Sequence, residues 1–125
     1  MNIQAPPIKS FRPFLPSKDF AASKQFYQHL GFSVSREWPG GAELNLESSS
    51  FILTDFYLEP FASNFMMQLV VPDIDQWWQH IQAANLVELF QVSAPKPPQK
   101  QPWGLVVAYV FDPSSVLWHV TDGKR

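Results

Sequence analysis

The chain carries one message twice. Phe26-Tyr27-Gln28-His29-Leu30 is echoed by Trp77-Trp78-Gln79-His80-Ile81. Each pentamer follows an aspartate able to cap a helix, Asp19 by seven residues and Asp73 by four. The two spacings differ by close to one helical turn, so the rings face the same way in both helices. An internal repeat of this kind restricts the fold to two similar modules.

The surrounding pattern completes each module. Residues 9–15 alternate loosely and read as a strand, which Pro13 confines to an edge or a bulge. Asp19 opens a helix whose Phe20, Phe26, Tyr27 and Leu30 share one face, and Gly31 stops it. Residues 32–38, 42–48 and 51–57 alternate as strands, separated by Pro39-Gly40-Gly41 and Ser48-Ser49-Ser50. Residues 58–64 read as a linker. Residues 65–71 start the second module as an apolar strand ended by Pro72. Asp73 with Gln76 makes a capping-box variant, and Ile74, Trp77, Trp78 and Ile81 form a helical stripe. Strands are expected at 86–92, 104–111 and 116–122, with a Pro-rich loop at 93–103. The order is βαβββ twice: an α+β fold in one domain over 1–125, with modules at 9–57 and 65–122, preceded by a loose arm at 1–8.

Composition removes several function classes. There is no Cys, which excludes disulfides, thiolate catalysis and Cys-based zinc sites. The net charge of -2 argues against a broad nucleic-acid surface. No apolar run is long enough to span a bilayer, and MNIQAPPIKS lacks the pattern of a secretory leader, so a cytoplasmic protein is expected. Eleven Phe and five Trp in 125 residues call for a dense core or a ring-lined pocket. No glycine-rich phosphate loop and no G-x-S-x-G elbow occur.

Several local motifs sit on this layout in order. They are Asp19 with the helix ending Phe26-Tyr27 and Leu30-Gly31-Phe32; Val71-Pro72-Asp73 with Asp75 and Trp77; Pro102-Trp103-Gly104; and Asp112-Pro113 followed by Val116-Leu117-Trp118-His119. Together they resemble the vicinal oxygen chelate superfamily, the glyoxalase, bleomycin-resistance and extradiol-dioxygenase group. Pro13 and the terminal Trp118-His119 are most similar to the bleomycin-resistance branch. The resemblance implies curved mixed sheets around a cavity and a homodimer, domain-swapped or side by side. It also implies aromatic-lined ligand grooves between subunits and no metal or other cofactor. Ser115 stands where the family usually has Gly, so that turn needs another geometry or a strained positive φ.

Catalytic relatives hold a divalent metal through His and Glu on four strands. Carried over one position at a time, those sites are Arg12, Ile52 or Thr54, Met66 or Gln68, and His119. At most one of the four is a ligand type, and a cation beside a metal repels it. No metal site and no catalytic residue are therefore expected, and the balance is against an enzyme.

The candidate ligand-binding residues are Trp103, His119, Trp38, Phe56, Arg12, Glu43 and Asp55. Trp103 is a stacking wall or a plug for its loop. His119 offers the ligand a hydrogen bond or is a packed strand His. Trp38 and Phe56 fit core or interface better than ligand contact, and Trp77 and Trp78 fit the core. His29 and His80 fit surface or packing roles. Glu43, Glu47 and Asp55 make an acidic groove if they converge, whereas Arg12 favours an anionic or carbonyl ligand.

The expected function is metal-free sequestration of a partly planar, antibiotic-like molecule. The alternatives are a divergent metal-dependent or His-assisted lyase, isomerase or dioxygenase of the same superfamily, and a non-catalytic interaction or regulatory module. Partners other than a small ligand and a second copy, such as nucleic acid or membrane, are not expected.

Overall fold

The computed structural model describes residues 3–124. The tip of the expected N-terminal arm, residues 1 and 2, and residue 125 lie outside the described residues. The elements run β1 (Phe14–Leu15), α1 (Phe20–Leu30), β2 (Ser33–Trp38), β3 (Gly41–Leu46), β4 (Ser49–Thr54), α2 (Glu59–Ser63), β5 (Met66–Val70), α3 (Ile74–Ala83), α4 (Leu86–Phe90), β6 (Lys96–Lys100), β7 (Val106–Phe111) and β8 (Leu117–Thr121).

Two four-stranded sheets result, ordered β1-β4-β3-β2 and β5-β8-β7-β6. The two orders are the same topology, one for each half of the repeat. In each sheet the first strand lies parallel to the last, and the remaining pairs are antiparallel. The fold is α+β with two mixed sheets, as the periodicity implies.

The helix signals act as their chemistry dictates. Asp19 Oδ1 accepts from the Ala22 N–H at 3.1 Å, and Asp73 Oδ1 from the Gln76 N–H at 3.0 Å. Gly31 ends α1 at φ +120°, a conformation that side chains resist. Trp77 and Trp78 are only half-buried, packed on the core from its margin.

The repeated Gln-His pairs have a structural meaning. His29 Nε2 lies 2.8 Å from the Ala84 carbonyl at the end of α3, and His80 Nε2 lies 2.7 Å from the Leu30 carbonyl at the end of α1. Each helix thus satisfies an otherwise open C-terminal carbonyl of the other. The packing role expected for both histidines is this reciprocal clasp.

Between the modules sits a tetrad of rings from α1, the turn after it, β4 and β8. Tyr27, Phe32, Phe51 and Trp118 are in mutual contact, with centroid separations from 5.0 to 5.8 Å. All four are buried. Each ring pair adds about 0.5–1.5 kcal/mol beyond area burial.

A polar chain runs through the tetrad. Trp118 Nε1–H donates to Tyr27 Oη at 2.9 Å, and the Tyr27 hydroxyl donates to Asp112 Oδ2 at 2.7 Å. Asp112 Oδ1 accepts from the N–H groups of Ser114 and Val116 at 2.8 and 2.9 Å, closing the β7–β8 turn. Ser114 Oγ in turn accepts from the Lys18 N–H at 2.8 Å, which ties this turn to the start of α1. Burial pushes the Asp112 carboxyl up to about 6, against the pull of these donors. The same burial, with the Asp112 charge beside it, holds the Tyr27 phenol well above its ordinary value. Ser115 accepts φ +69°, so the turn keeps its geometry and carries the strain that a glycine would remove.

Four local expectations need correction. Residues 86–92 form no strand: Leu86–Phe90 is a helix, entered through Asn85 at φ +51° and left through Gln91 at φ +55°. Leu86 and Phe90 point inward one turn apart, while Val87 and Leu89 are exposed. The Phe90 ring meets Phe26 at 5.4 Å. The 93–103 segment is not a plain loop, since Lys96–Lys100 pairs with β7. Pro97 and Pro98 fall in the register shift of that edge strand, where a missing N–H is harmless. The expected strand at 9–15 pairs only at Phe14–Leu15, and the 58–64 linker contains the single turn α2.

Candidate functional site

Strand parity sorts the side chains of each sheet. In the first sheet Leu15, Ala42, Leu44, Phe51 and Leu53 are buried against the helices. Phe14, Glu43, Ser50, Ile52 and Thr54 have the opposite parity and form an outer face. In the second sheet Ala108, Val110, Trp118 and Val120 are buried inward. Met66, Gln68, Val70, Tyr109, Leu117 and His119 form the outer face, with Gln68 and Tyr109 flanking His119 in the register. Phe14, Met66 and Val70 are 59, 61 and 57% exposed, so the outer faces leave apolar surface bare.

A charged cluster occupies the first outer face. Glu43 Oε2 accepts from Arg36 Nη2 at 2.8 Å and lies 3.5 Å from Arg12 Nε. Its Oε1 accepts from Ser35 Oγ at 2.7 Å. Arg12 Nε also donates to Ser50 Oγ at 2.7 Å. The Arg36 hydrogen bond, then that of Ser35, holds the Glu43 carboxyl below its ordinary value, and Glu43 raises Arg36 in return. Glu43 is covered by these partners on an open face; its side chain is 9% exposed, against 31% for Arg12 and 69% for Arg36. A register shift between Val34 and Arg36 brings Ser35 and Arg36 together onto one carboxylate.

The second outer face is built from rings. The Tyr109 ring meets His119 edge-on at 4.9 Å, and Trp103 lies tilted at 6.4 Å on His119. Burial lowers the His119 pKa, which keeps the imidazole neutral at neutral pH. A 260 Å³ cleft at the seam between the sheets is bordered by Ser50 and Gln68 of the two outer faces, with Phe51, Met67 and Trp118 beneath. A larger hollow of 370 Å³ lies between the end of α1 and α3, beside Leu30, Leu46, Trp77 and His80. Its polar lining is Gln76 and His80, and the imidazole is already committed to the Leu30 carbonyl, which leaves one amide rather than a convergent set of polar groups.

Of the residues singled out from the sequence, Arg12 and Glu43 meet, and Trp103 and His119 meet. Trp38 and Asp55 gather at the Gly40-Gly41 turn, at the end of the first sheet. The Trp38 indole lies across Gly41, where a Cβ would come within 2.5 Å of Nε1, and the Asp55 carboxylate packs on Gly40. Phe56 is exposed just beyond β4, its carbonyl accepting from the Ser17 N–H at 3.1 Å. Glu43, Glu47 and Asp55 do not converge into an acidic groove. Glu47 turns the β3–β4 hairpin at φ +53°, Asp55 follows the far end of β4, and Glu43 is occupied by arginines. Ser35, Arg36, Ser50 and Tyr109 also stand on these faces and were not singled out from the sequence, and Gln68 was considered only as a metal position.

The positions expected from the resemblance to correspond to a metal site were Arg12, which lies just before β1, Ile52 or Thr54, Met66 or Gln68, and His119, and these side chains do not fit such an ion. His119 is their only imidazole, and Arg12 brings a positive charge. Among the described residues no three His, Asp or Glu side chains come together as a ligand set.

The described architecture matches a known family. The model of the Glyoxalase/Bleomycin resistance protein/Dioxygenase superfamily matches residues 10–120, and the chain belongs to that superfamily. It is 30% identical over 119 residues to a bleomycin resistance protein of Klebsiella pneumoniae, covering 90% of each chain. Among solved structures it resembles a bleomycin-binding protein complexed with bleomycin, with a TM-score of 0.79 and 24% identity over 94% of this chain and all of that one. A lactoylglutathione lyase from Agrobacterium tumefaciens shares the fold with a TM-score of 0.69 at 17% identity, covering 94% of this chain and 96% of that one. No helix among the described residues is long and apolar enough to cross a membrane.

Proposed function

We propose that this chain is a cytoplasmic homodimer that sequesters a partly planar small molecule, without making or breaking bonds. The outer face of each sheet closes on the opposite face of a second copy and leaves a ligand groove between them. The observation that carries this reading is the pair of outer faces, apolar at Phe14, Met66 and Val70 yet carrying converging polar groups and rings. Trp103, Tyr109 and His119 form one wall, suited to stacking on a flat group. Arg12, Arg36 and Glu43 form the other, with Trp38, Asp55 and Phe56 at the rim. The Klebsiella pneumoniae relative supports an antibiotic-like ligand.

Titration of intrinsic tryptophan fluorescence with bleomycin and a panel of aromatic drugs tests the proposal. Saturable quenching is expected near one ligand per chain, reduced by Trp103→Phe. Flat titrations across the panel overturn it.

A further inference from the structure

We infer that the molecule bound in this groove carries an anionic group (a carboxylate, sulfonate or phosphate) seated against Arg12 and Arg36 on the outer face of the first sheet. The inference rests on the groove reading above and adds the charge of its ligand.

The first outer face carries two guanidiniums and one carboxylate, Glu43. The other acid of those strands, Glu37, is turned to the helix side, where Lys24 Nζ donates to both its oxygens at 3.0 and 3.1 Å. The four strands of the second sheet contain no Asp or Glu. Of the two lysines in β6, Lys100 stands opposite Val106 on the inward parity of β7, whereas Lys96 stands opposite Tyr109, is exposed, and adds one more cation to the outer face. Cations thus outnumber anions on these faces in a chain whose net charge is -2.

Donor counting gives the same result. Glu43 is saturated by Arg36, Ser35 and the nearby Arg12. Each guanidinium has five N–H donors. Arg12 spends its Nε–H on Ser50, and Arg36 spends one donor on Glu43. The remaining donors of both have no hydrogen-bond partner among the described residues. Glu43 and Ser50 also fix where the two planar groups stand, so part of the ordering cost is met before a ligand arrives. Two held guanidiniums with spare donors and one uncompensated charge match the paired oxygens of an oxyanion.

The test uses two dyes that share a phenyl-naphthylamine ring system. One, 8-anilinonaphthalene-1-sulfonate, carries a sulfonate; the other, N-phenyl-1-naphthylamine, is neutral. The sulfonate is expected to bind the wild-type protein about tenfold more tightly, and raised salt should weaken it alone. Arg36→Gln should bring the sulfonate down to the affinity of the neutral dye. Glu43→Gln keeps an acceptor oxygen to hold Arg36 but removes the competing charge, and should tighten the sulfonate several-fold. Changes of opposite sign from one cluster cannot come from a shared loss of fold. Equal affinities for the two dyes, unmoved by either substitution, overturn the anionic assignment and leave the groove reading standing. Binding of neither dye overturns both.

Discussion

Replacing Tyr27 by Phe removes one oxygen at the point where the two modules are joined. That oxygen accepts from Trp118 Nε1–H at 2.9 Å and donates to Asp112 at 2.7 Å, and all three groups are buried. A hydrogen bond to a charged partner contributes about 1.5–3 kcal/mol, and a buried N–H left unpaired costs about 1–3 kcal/mol. With partial overlap, Tyr27→Phe should destabilise the protein by about 2–4 kcal/mol at pH 8.

The cost also depends on pH, with a sign fixed by Asp112. Its carboxyl sits at about 6 when folded, above its ordinary 3.8. A group raised on folding gives stability that is complete below its unfolded pKa and lost as pH rises through the folded value. The interval from 3.8 to about 6 corresponds to roughly 3 kcal/mol. Tyr27 donates to the ionised form, so its removal raises Asp112 further. The penalty of Tyr27→Phe should therefore fall to about 1–2 kcal/mol at pH 5, where the carboxyl is protonated in both proteins. Urea unfolding followed by circular dichroism, at pH 8 and pH 5 and one chain concentration, measures both terms. A loss under about 0.5 kcal/mol at pH 8, or a loss that grows on acidification, would refute the role given to the Trp118–Tyr27–Asp112 chain.

Two further substitutions probe the joint and the turn. His80→Ala leaves the Leu30 carbonyl without its partner at 2.7 Å and should cost about 1 kcal/mol in urea unfolding. His29→Ala should cost a similar amount, because the Ala84 carbonyl is held the same way; markedly unequal losses would break the symmetry of the clasp. Ser115→Gly relieves a side chain held at φ +69° and should raise the thermal midpoint, with a gain of about 0.5–1 kcal/mol. No gain would mean that the turn tolerates the serine without strain.

The elements legible from sequence were those with redundant signals. Asp19 and Gly31 bracket α1 by chemistry that depends on no distant contact, and the apolar stripe from Ile74 to Ile81 has one period only. The run Leu86 to Phe90 lacked such redundancy: five apolar-rich residues fit either period, and what decides is the pocket that receives Leu86 and Phe90 together. β6 was hidden because prolines argue against a ladder, and their tolerance depends on the strand lying at the sheet edge.

The same distinction divides the site. Arg12 and Glu43 were legible as candidates, but neither their common face nor their pairing was fixed. Parity assigns a face, whereas partners depend on register. Arg36 escaped because a bulge beside Ser35 breaks the alternation that would have placed it. Tyr109 escaped because its position opposite His119 exists only once β7 and β8 are aligned. The expected acidic groove failed for a related reason: Glu47 and Asp55 lie near opposite ends of β4, and Glu43 already has its cations.

Closure of the outer sheet faces against a second copy is tested most directly by sedimentation equilibrium across micromolar concentrations. The wild-type protein should sediment at twice the mass of the chain. The double substitution Met66→Glu with Val70→Glu, at two exposed positions of one outer face, should sediment as a single folded chain that no longer quenches with ligand. A wild-type protein that stays monomeric at every concentration, or a double variant that dimerises as tightly as the wild type, would contradict the account.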